Sequence, residues 1–174
     1  MEYARGSLLS ILLIVTSIGI AGVTAYVYQT GQMTADQNVQ NIATITLKNF
    51  ALGIIEEGQT LTYTKSEVPS LGSAIAVPTT KANVYLHLSS NLASQDASYT
   101  TYDIVVKYAS VPVGSTHAAG DTATTLTLSQ PDSAAINLDV RGSWVFDLEL
   151  TTSARSVSVD TATTVTITVT AEST

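Results

Sequence analysis

Residues Ser143-Trp-Val-Phe-Asp-Leu-Glu-Leu-Thr151 place a large apolar side chain at every second position. A period of two is typical of a half-buried β-strand, because successive side chains point to opposite faces of the strand. Trp144, Phe146 and Leu148 fall on the same face, and Asp147 and Glu149 on the other. The stretch therefore predicts a strand with one face in a hydrophobic core, which we expect to include Tyr102 and Tyr108 as well.

Similar alternation recurs along most of the chain. It is found at 42–48, 60–64, 82–89, 101–108, 124–129, 134–141 and 163–171. Turn-rich segments such as Gly114-Ser-Thr-His-Ala-Ala-Gly120 separate these stretches, and no helical pattern of ten residues or more lies between them. Strands at such spacing without crossover helices predict an antiparallel β-sandwich of about eight strands, immunoglobulin-like, over residues 42–174.

The N-terminal part of the chain has a different composition. Residues 6–35 contain no charged residue, and residues 8–28 are almost continuously apolar. As a helix, twenty such residues would span roughly the 30 Å hydrocarbon layer of a bilayer. The pattern predicts a hydrophobic helix over residues 7–41 after a short segment 1–6, so the expected fold class is α+β.

Four interpretations of this apolar segment compete. It could be a cleaved secretory signal, with Arg5 as the basic region and Val23-Thr-Ala25 as a small-x-small cleavage site. It could be a permanent membrane anchor or a buried helix of a globular domain, although a helix that is apolar all round needs a large protein around it. The fourth is a pilin-type segment, which resides in the membrane and is then assembled into a filament.

The order of motifs favours the fourth interpretation. Ala4-Arg-Gly6 is followed by the run Ser7-Leu-Leu-Ser-Ile-Leu-Leu-Ile-Val-Thr-Ser-Ile-Gly-Ile-Ala-Gly-Val-Thr-Ala-Tyr-Val-Tyr28 and by the polar tail Gln29-Thr-Gly-Gln-Met-Thr-Ala-Asp-Gln37. Over about 40 residues this order resembles the archaeal type IV pilin and archaellin superfamily. Bacterial type IV pilins usually have glutamate at the fifth mature position, where cleavage after Gly6 would leave Ile11, so the resemblance is to the archaeal branch.

The resemblance implies an extracellular, cell-surface filament whose subunits polymerise through their N-terminal helices. Its partners would be further copies of the chain, the membrane before assembly and the filament assembly machinery. Arg5, Gly6 and Ser7 would flank the leader cleavage site. The side chains expected to pack in the filament core are Leu8, Leu9, Ile11, Leu12, Leu13, Ile14, Val15, Ile18, Gly19, Ile20, Ala21, Gly22, Val23, Ala25 and Val27. The sequence leaves open whether such a filament serves swimming, as an archaellum, or adhesion, as a pilus.

Composition argues against several other functions. A formal charge of -7 disfavours binding to nucleic acid, and the absence of cysteine removes zinc-thiolate sites and thiol nucleophiles. The two histidines, His87 and His117, lack metal-ligand spacing, and there is no Gly-x-Ser-x-Gly motif. We therefore expect no enzymatic activity and no cofactor. An alternative function is a secreted or membrane-anchored β-sandwich module for binding or adhesion.

Six aspartates lie in or near predicted turns, where a calcium site built from loop carboxylates is conceivable. No EF-hand pattern is present, and turn formation alone explains aspartate at such positions. They are Asp96, Asp121, Asp132, Asp139, Asp147 and Asp160.

Overall fold

The computed structural model describes residues 41–156 and 162–173. The chain divides between Gln40 and Asn41, and all of the described residues belong to the second unit, which we call the β domain. The leader-like segment 1–6 and residues 7–40 of the expected helix lie outside the described residues. Within the described ranges, no helix is long and apolar enough to cross a membrane.

The described part of the β domain contains nine strands and two short 3-10 turns. The strands are β1 (Thr46–Leu47), β2 (Thr60–Tyr63), β3 (Ile75–Thr79), β4 (Val84–Ser90), β5 (Tyr99–Ser110), β6 (Thr122–Leu126), β7 (Ile136–Leu138), β8 (Gly142–Ala154) and β9 (Ile167–Ser173). The 3-10 turns are Pro69–Leu71 and Leu92–Gln95.

The strands form two antiparallel sheets. The first has the order β1-β3-β8-β5-β6, with β2 also paired to β8, and the second has the order β7-β4-β9. Strand β8 organises the first sheet: one of its edges pairs with β5, while β2 and β3 share the other edge end to end. Its length of 13 residues makes this sharing possible, because Gly142–Phe146 pair with β3 and Leu150–Ser153 pair with β2.

One hydrophobic core contains side chains from both sheets. Trp144, Phe146 and Leu148 of β8 are at most 2% exposed, which confirms the prediction made from their alternation. Burying a large apolar side chain stabilises the fold by roughly 1.5–3 kcal/mol. The indole of Trp144 keeps its hydrogen bond inside the core by donating Nε1–H to the carbonyl oxygen of Val140 at 3.0 Å.

Strand β3 is a strand that the alternation did not predict, and it contains Pro78. A proline interrupts a strand only where its missing N–H is needed. The carbonyl oxygen of Pro78 accepts a hydrogen bond from the backbone N–H of Thr44 at 3.1 Å, so this residue's polar edge faces the β1 side. The ladder to β8 therefore stays intact, and the missing donor falls on the side of the short β1 segment, where the pairing is sparse.

The predicted α+β class, a long N-terminal helix followed by a sandwich, is wrong. The structure is mostly β-strand in antiparallel sheets, and the described residues contain no helix of seven residues or more. Asn41, the last residue of the predicted helix, already lies against β3: its carbonyl oxygen accepts a hydrogen bond from Thr80 Oγ1 at 3.0 Å. The backbone of Ile42 and Thr44 continues this pairing, so the chain is tied across to another strand and not along a helical turn.

The immunoglobulin-like arrangement is also not found. An immunoglobulin constant domain has four strands facing three, whereas here six described strands face three. The larger number follows from β8, which accommodates two strands on one edge. The predicted strand at 42–48 is reduced to Thr46–Leu47, with an isolated bridge between Ala43 and Thr79.

Candidate functional site

The residues expected to pack in a filament core, and the candidate leader residues Arg5, Gly6 and Ser7, lie outside the described residues. Their roles stay predictions. The β domain offers two features of its own: a loop fastened to the sheet beside it, and an apolar groove at an edge of the domain.

The two histidines have unrelated surroundings. His87 lies on the outer face of β4, between the buried Leu86 and Leu88, and its Nε2 is 3.1 Å from the carboxylate of Glu172 on β9. His117 lies in the loop between β5 and β6 and contacts the core aromatic residues. The pair is thus not a metal-ligand pair.

The aspartates considered as calcium ligands have local partners. Asp96 is 3.0 Å from the guanidinium of Arg155, and Asp147 is 2.8 Å from the ammonium of Lys65. Over the ranges that the structure describes, no three His, Asp or Glu side chains are placed to hold a metal ion together. Asp160 lies outside these ranges. Three more lie in or beside the turns around β6 and β7: Asp121, Asp132 and Asp139.

Asp139 fastens the β5–β6 loop to the end of β7. Its carboxylate accepts three hydrogen bonds: from Ser115 Oγ at 2.9 Å, from the backbone N–H of Thr116 at 2.7 Å and from Thr116 Oγ1 at 2.8 Å. Ser115 Oγ in turn accepts the backbone N–H of His117 at 3.0 Å. We call Asp139, Ser115, Thr116 and His117 the clasp.

His117 attaches the same loop to the aromatic part of the core. Its ring stacks on Tyr108 with centroids 4.8 Å apart and meets Trp144 edge-on at 5.9 Å. Its Nε2 is 3.0 Å from the carbonyl oxygen of Asn137 on β7, and it donates to that oxygen in the tautomer with a proton on Nε2. The clasp thus joins the loop to β5, β7 and β8.

Close packing at Gly142 completes the attachment. Gly142 has φ of +145°, and a Cβ built on it would lie 2.7 Å from Cβ and Cγ of Pro112 in the loop. Only glycine leaves room for Pro112 there. The start of β8 therefore holds the start of the loop while Asp139 holds its middle.

The electrostatics of the clasp favour an ionised carboxylate. Partial desolvation opposes ionisation of Asp139, but the hydrogen bonds from Thr116 and Ser115 and the charge of His117 outweigh it and lower the pKa below the ordinary 3.8. Burial raises the pKa of Tyr108 to about 12, and the nearby Asp139 and Asp121 add to this effect. At neutral pH the carboxylate of Asp139 in the clasp is thus charged, and the adjoining Tyr108 is neutral. All of these groups hydrogen-bond or pack against each other, so the arrangement fastens a loop.

An apolar groove of about 340 Å³ lies at another edge of the domain. It is lined by parts of β1, β3 and β8 from one sheet, by β9 from the other and by the segments after β1 and before β9; its apolar side chains include Leu47, Phe50, Ile75, Val165 and Ile167. Strand β9 is an edge strand, since β4 is its partner within the described sheet. The groove is therefore open where the two sheets part.

Ion pairs and hydroxyl groups cover the outer face of the first sheet. Lys65 contacts Asp147, and Lys107 lies 2.6 Å from Glu149. The hydroxyl groups of Thr62 and Thr151 are 3.3 Å apart across β2 and β8. This face is suited to contact with water.

Sequence reasoning did not identify the clasp. The segment Gly114-Ser-Thr-His-Ala-Ala-Gly120 was classed as a turn, and Asp139 as one of several turn aspartates. A usable signal was present, because Ser and Thr side chains beside a loop histidine supply hydrogen-bond donors for a carboxylate elsewhere. What the sequence could not supply was the packing of the two sheets, which brings Asp139, after β7 of one sheet, to the β5–β6 loop of the other.

A comparison with known protein families finds no family that matches the chain, and a comparison with curated proteins finds no similar sequence.

Proposed function

We propose that the protein is a structural subunit of an extracellular filament of the archaeal type IV pilus-like class. In this proposal the apolar segment of each copy is buried among the apolar segments of other copies, and the β domain faces the surrounding water. The protein works by assembly, without catalysis or a cofactor.

One observation carries the proposal: an uncharged stretch of membrane length is followed directly by a folded domain. Residues 6–35 contain no charged residue, and the β domain begins at Asn41. So long an apolar stretch needs an apolar environment, which either lipid or neighbouring copies can provide. A subunit that is held in the membrane and then assembled uses both environments in turn.

The β domain supports the proposal because its central core side chains are buried within the domain itself. Trp144, Phe146 and Leu150 are fully buried among other β-domain side chains. Its outer sheet face carries ion pairs and hydroxyl groups, and the chain has a net charge of -7. An acidic, hydroxyl-rich outer domain keeps a large assembly soluble and resists nonspecific association.

Assembly must favour neighbouring copies over lipid. Burial of apolar area from water contributes about 25 cal/mol per Å², but a move from lipid into a filament gains little from this term. Close approach at the small residues Gly19, Ala21 and Gly22 would supply the additional packing.

The proposal is tested by mechanical shearing of cells that express the chain. We expect the sheared pellet to contain filaments in negative-stain electron micrographs and, by mass spectrometry, peptides from residues 7–35. Soluble monomers beginning near Tyr26 would contradict the proposal and favour a secreted binding module. A chain that stays with the membrane after shearing would favour an anchored module.

A pair of matched substitutions tests the apolar segment directly. Ile14→Lys places a charge in the uncharged stretch, and we expect it to abolish filament formation. Ile54→Lys makes the same chemical change at a side chain that is 92% exposed, and filaments should form normally. Normal filaments from both variants would refute burial of the segment among copies.

The kind of filament is decided by a separate experiment. Deletion of the gene should abolish swimming if the filament is a motility organelle, and surface attachment if it is an adhesive pilus.

A further inference from the structure

The β5–β6 loop is closed at its base by backbone hydrogen bonds and held at its middle by the clasp. Tyr108 donates its backbone N–H to Asp121 O at 2.9 Å, and Gly120 donates to Tyr108 O at 2.7 Å. Neither bond involves a titrating group. The middle of the loop is held instead by the carboxylate of Asp139, through Ser115 and Thr116, and by His117, whose Nε2 is 3.0 Å from Asn137 O. Ser115 Oγ also accepts the backbone N–H of His117, which links His117 to Asp139.

We propose that the clasp is an acid-sensitive latch: protonation of Asp139 releases the middle of the β5–β6 loop from β7 while the two sheets stay folded. The proposal concerns the β domain alone and does not depend on filament assembly.

The geometry explains the release. Three donors point at one carboxylate, and an ionised carboxylate only accepts hydrogen bonds. A neutral carboxyl group carries a proton that must itself be donated, and it is a weaker acceptor. Protonation therefore weakens the contacts with Thr116 and Ser115 together.

The surroundings of the clasp set the pH range. The titratable groups around Asp139 are His117 and Asp121 from the loop and Tyr108 from β5. Asp121 Oδ2 also accepts the backbone N–H of Ala118 at 3.3 Å. Because the folded-state pKa of Asp139 is lowered, its contribution is fully present above the ordinary value of 3.8 and is lost as the pH falls through the lower folded-state value. The latch is closed at neutral and mildly acidic pH.

Release would change two surfaces. His117 would leave the faces of Tyr108 and Trp144, which are 3% and 0% exposed in the closed state. The loop tip, where Val113 is already fully exposed, would move independently of β7. Since Trp144 is the single tryptophan of the chain, its fluorescence reports directly on the latch.

The test uses the full chain in detergent micelles at neutral pH, with Asp139→Asn as a mimic of the protonated group and Asp139→Ala to remove the acceptor. We expect the Trp144 emission to shift to longer wavelength in Asp139→Ala, whether or not it also shifts in Asp139→Asn. Hydrogen exchange in a peptide covering 111–121 should be faster by about tenfold or more than in the wild type. Far-ultraviolet circular dichroism should keep its β-sheet signal. Asp147→Asn is the matched control, because that carboxylate also accepts a backbone N–H, from Ser73, but lies on the outer face of β8.

A titration of the wild type to acid completes the test. The Trp144 emission should shift below pH 3.8, before the circular dichroism signal is lost, and should not shift in Asp139→Ala over the same range. The latch would be overturned if hydrogen exchange at 111–121 were as slow in both Asp139 variants as in the wild type. It would also be overturned if the emission of the wild type changed only together with loss of the β-sheet signal. Equal acceleration at 111–121 in Asp147→Asn would also overturn it, because the effect would then not be specific to the clasp.

Discussion

Strands β8 and β9 have equally regular alternation in sequence but very different burial in the structure. In β8 every second residue from Trp144 to Thr152 is buried. In β9 the corresponding residues, Ile167, Val169 and Ala171, are only half-buried. The stretch Val165-Thr-Ile-Thr-Val-Thr170 alternates as regularly as β8, yet β9 begins only at Ile167 and its inward side chains stay half-buried.

The difference in burial between β8 and β9 comes from the number of neighbouring strands. Strand β8 has partners on both edges, whereas β9, among the strands that the structure describes, pairs with β4 alone and borders the open groove. Alternation thus predicts which face of a strand points inward, and the position in the sheet decides how deeply that face is buried. Substitutions in the two strands should therefore have unequal effects on the free energy of unfolding.

The largest effect is expected from Phe146→Ala in β8. Phe146 is fully buried, and its removal leaves a cavity, so the free energy of unfolding should fall by about 3–5 kcal/mol. Phe50, the other phenylalanine of the chain, is only partly buried and lines the groove, so Phe50→Ala should cost about 2 kcal/mol or less. Urea unfolding followed by circular dichroism measures both, and equal losses would contradict the comparison.

The start of β8 should be the next most sensitive position. Gly142→Ala combines a positive φ with a Cβ 2.7 Å from Pro112, and we expect a loss of about 2–3 kcal/mol. Gly58→Ala is the control, because Gly58 has φ of +70° but no atom within 4 Å of its Cβ position. That variant should lose about 1 kcal/mol. Thermal unfolding would show whether the two differ, and a Gly142→Ala variant as stable as the control would exclude a steric role for Pro112.

Strand β9 should tolerate truncation. Val169→Ala removes two methyl groups from a half-buried position beside the groove, and we expect a loss of about 1 kcal/mol or less. The same change at the fully buried Val106 of β5 should cost about 2–3 kcal/mol. Chemical unfolding of the two variants side by side tests the difference, and a larger loss for Val169 would show that the edge is covered in solution.

The smallest effect is expected on the outer face of β8, and it should depend on pH. Desolvation opposes ionisation of Asp147, but Lys65 and the backbone N–H of Ser73 outweigh it and lower the pKa below 3.8. The ionised form therefore stabilises the fold above the ordinary pKa, and this contribution is lost as the pH falls through the lowered value. Asp147→Asn should be slightly less stable than the wild type at pH 7, and the difference should shrink as the pH falls below 3.8, as measured by urea unfolding over a series of pH values. A difference that grows in acid would mean that the folded-state pKa is raised.

Much of the core could be predicted from the sequence, because alternation alone placed Trp144, Phe146 and Leu148 on one face. The order of strands could not be predicted in this way. Strand β3 was not predicted; it contains Pro78, which is acceptable there because its missing donor faces the sparsely paired β1 side and not β8. The predicted α+β class was wrong, as Asn41 shows. The carbonyl oxygen of this last residue of the predicted helix accepts a hydrogen bond from Thr80, next to β3.

The attachment of the β5–β6 loop depends on residues that are distant from the loop in sequence. Asp139 follows β7, Thr116 lies in the β5–β6 loop, and Gly142 opens β8. Each residue by itself is typical of an ordinary turn. Their joint role arises only when the sheets are assembled, so composition and spacing could not show which of these side chains meet.

The way the domain begins determines how it would respond to tension. A pull on Asn41 first loads the isolated bridge between Ala43 and Thr79 and then β1, which is joined to β3 by two register pairs, Thr46 with Ala76 and Leu47 with Ile75. So short a ladder breaks one pair at a time, before any load reaches the long ladder between β5 and β8. Residues 48–59 would then extend by up to roughly 40 Å, at about 3.3–3.6 Å per residue. Separation of the first strand would thus lengthen the chain under load while the core stays folded.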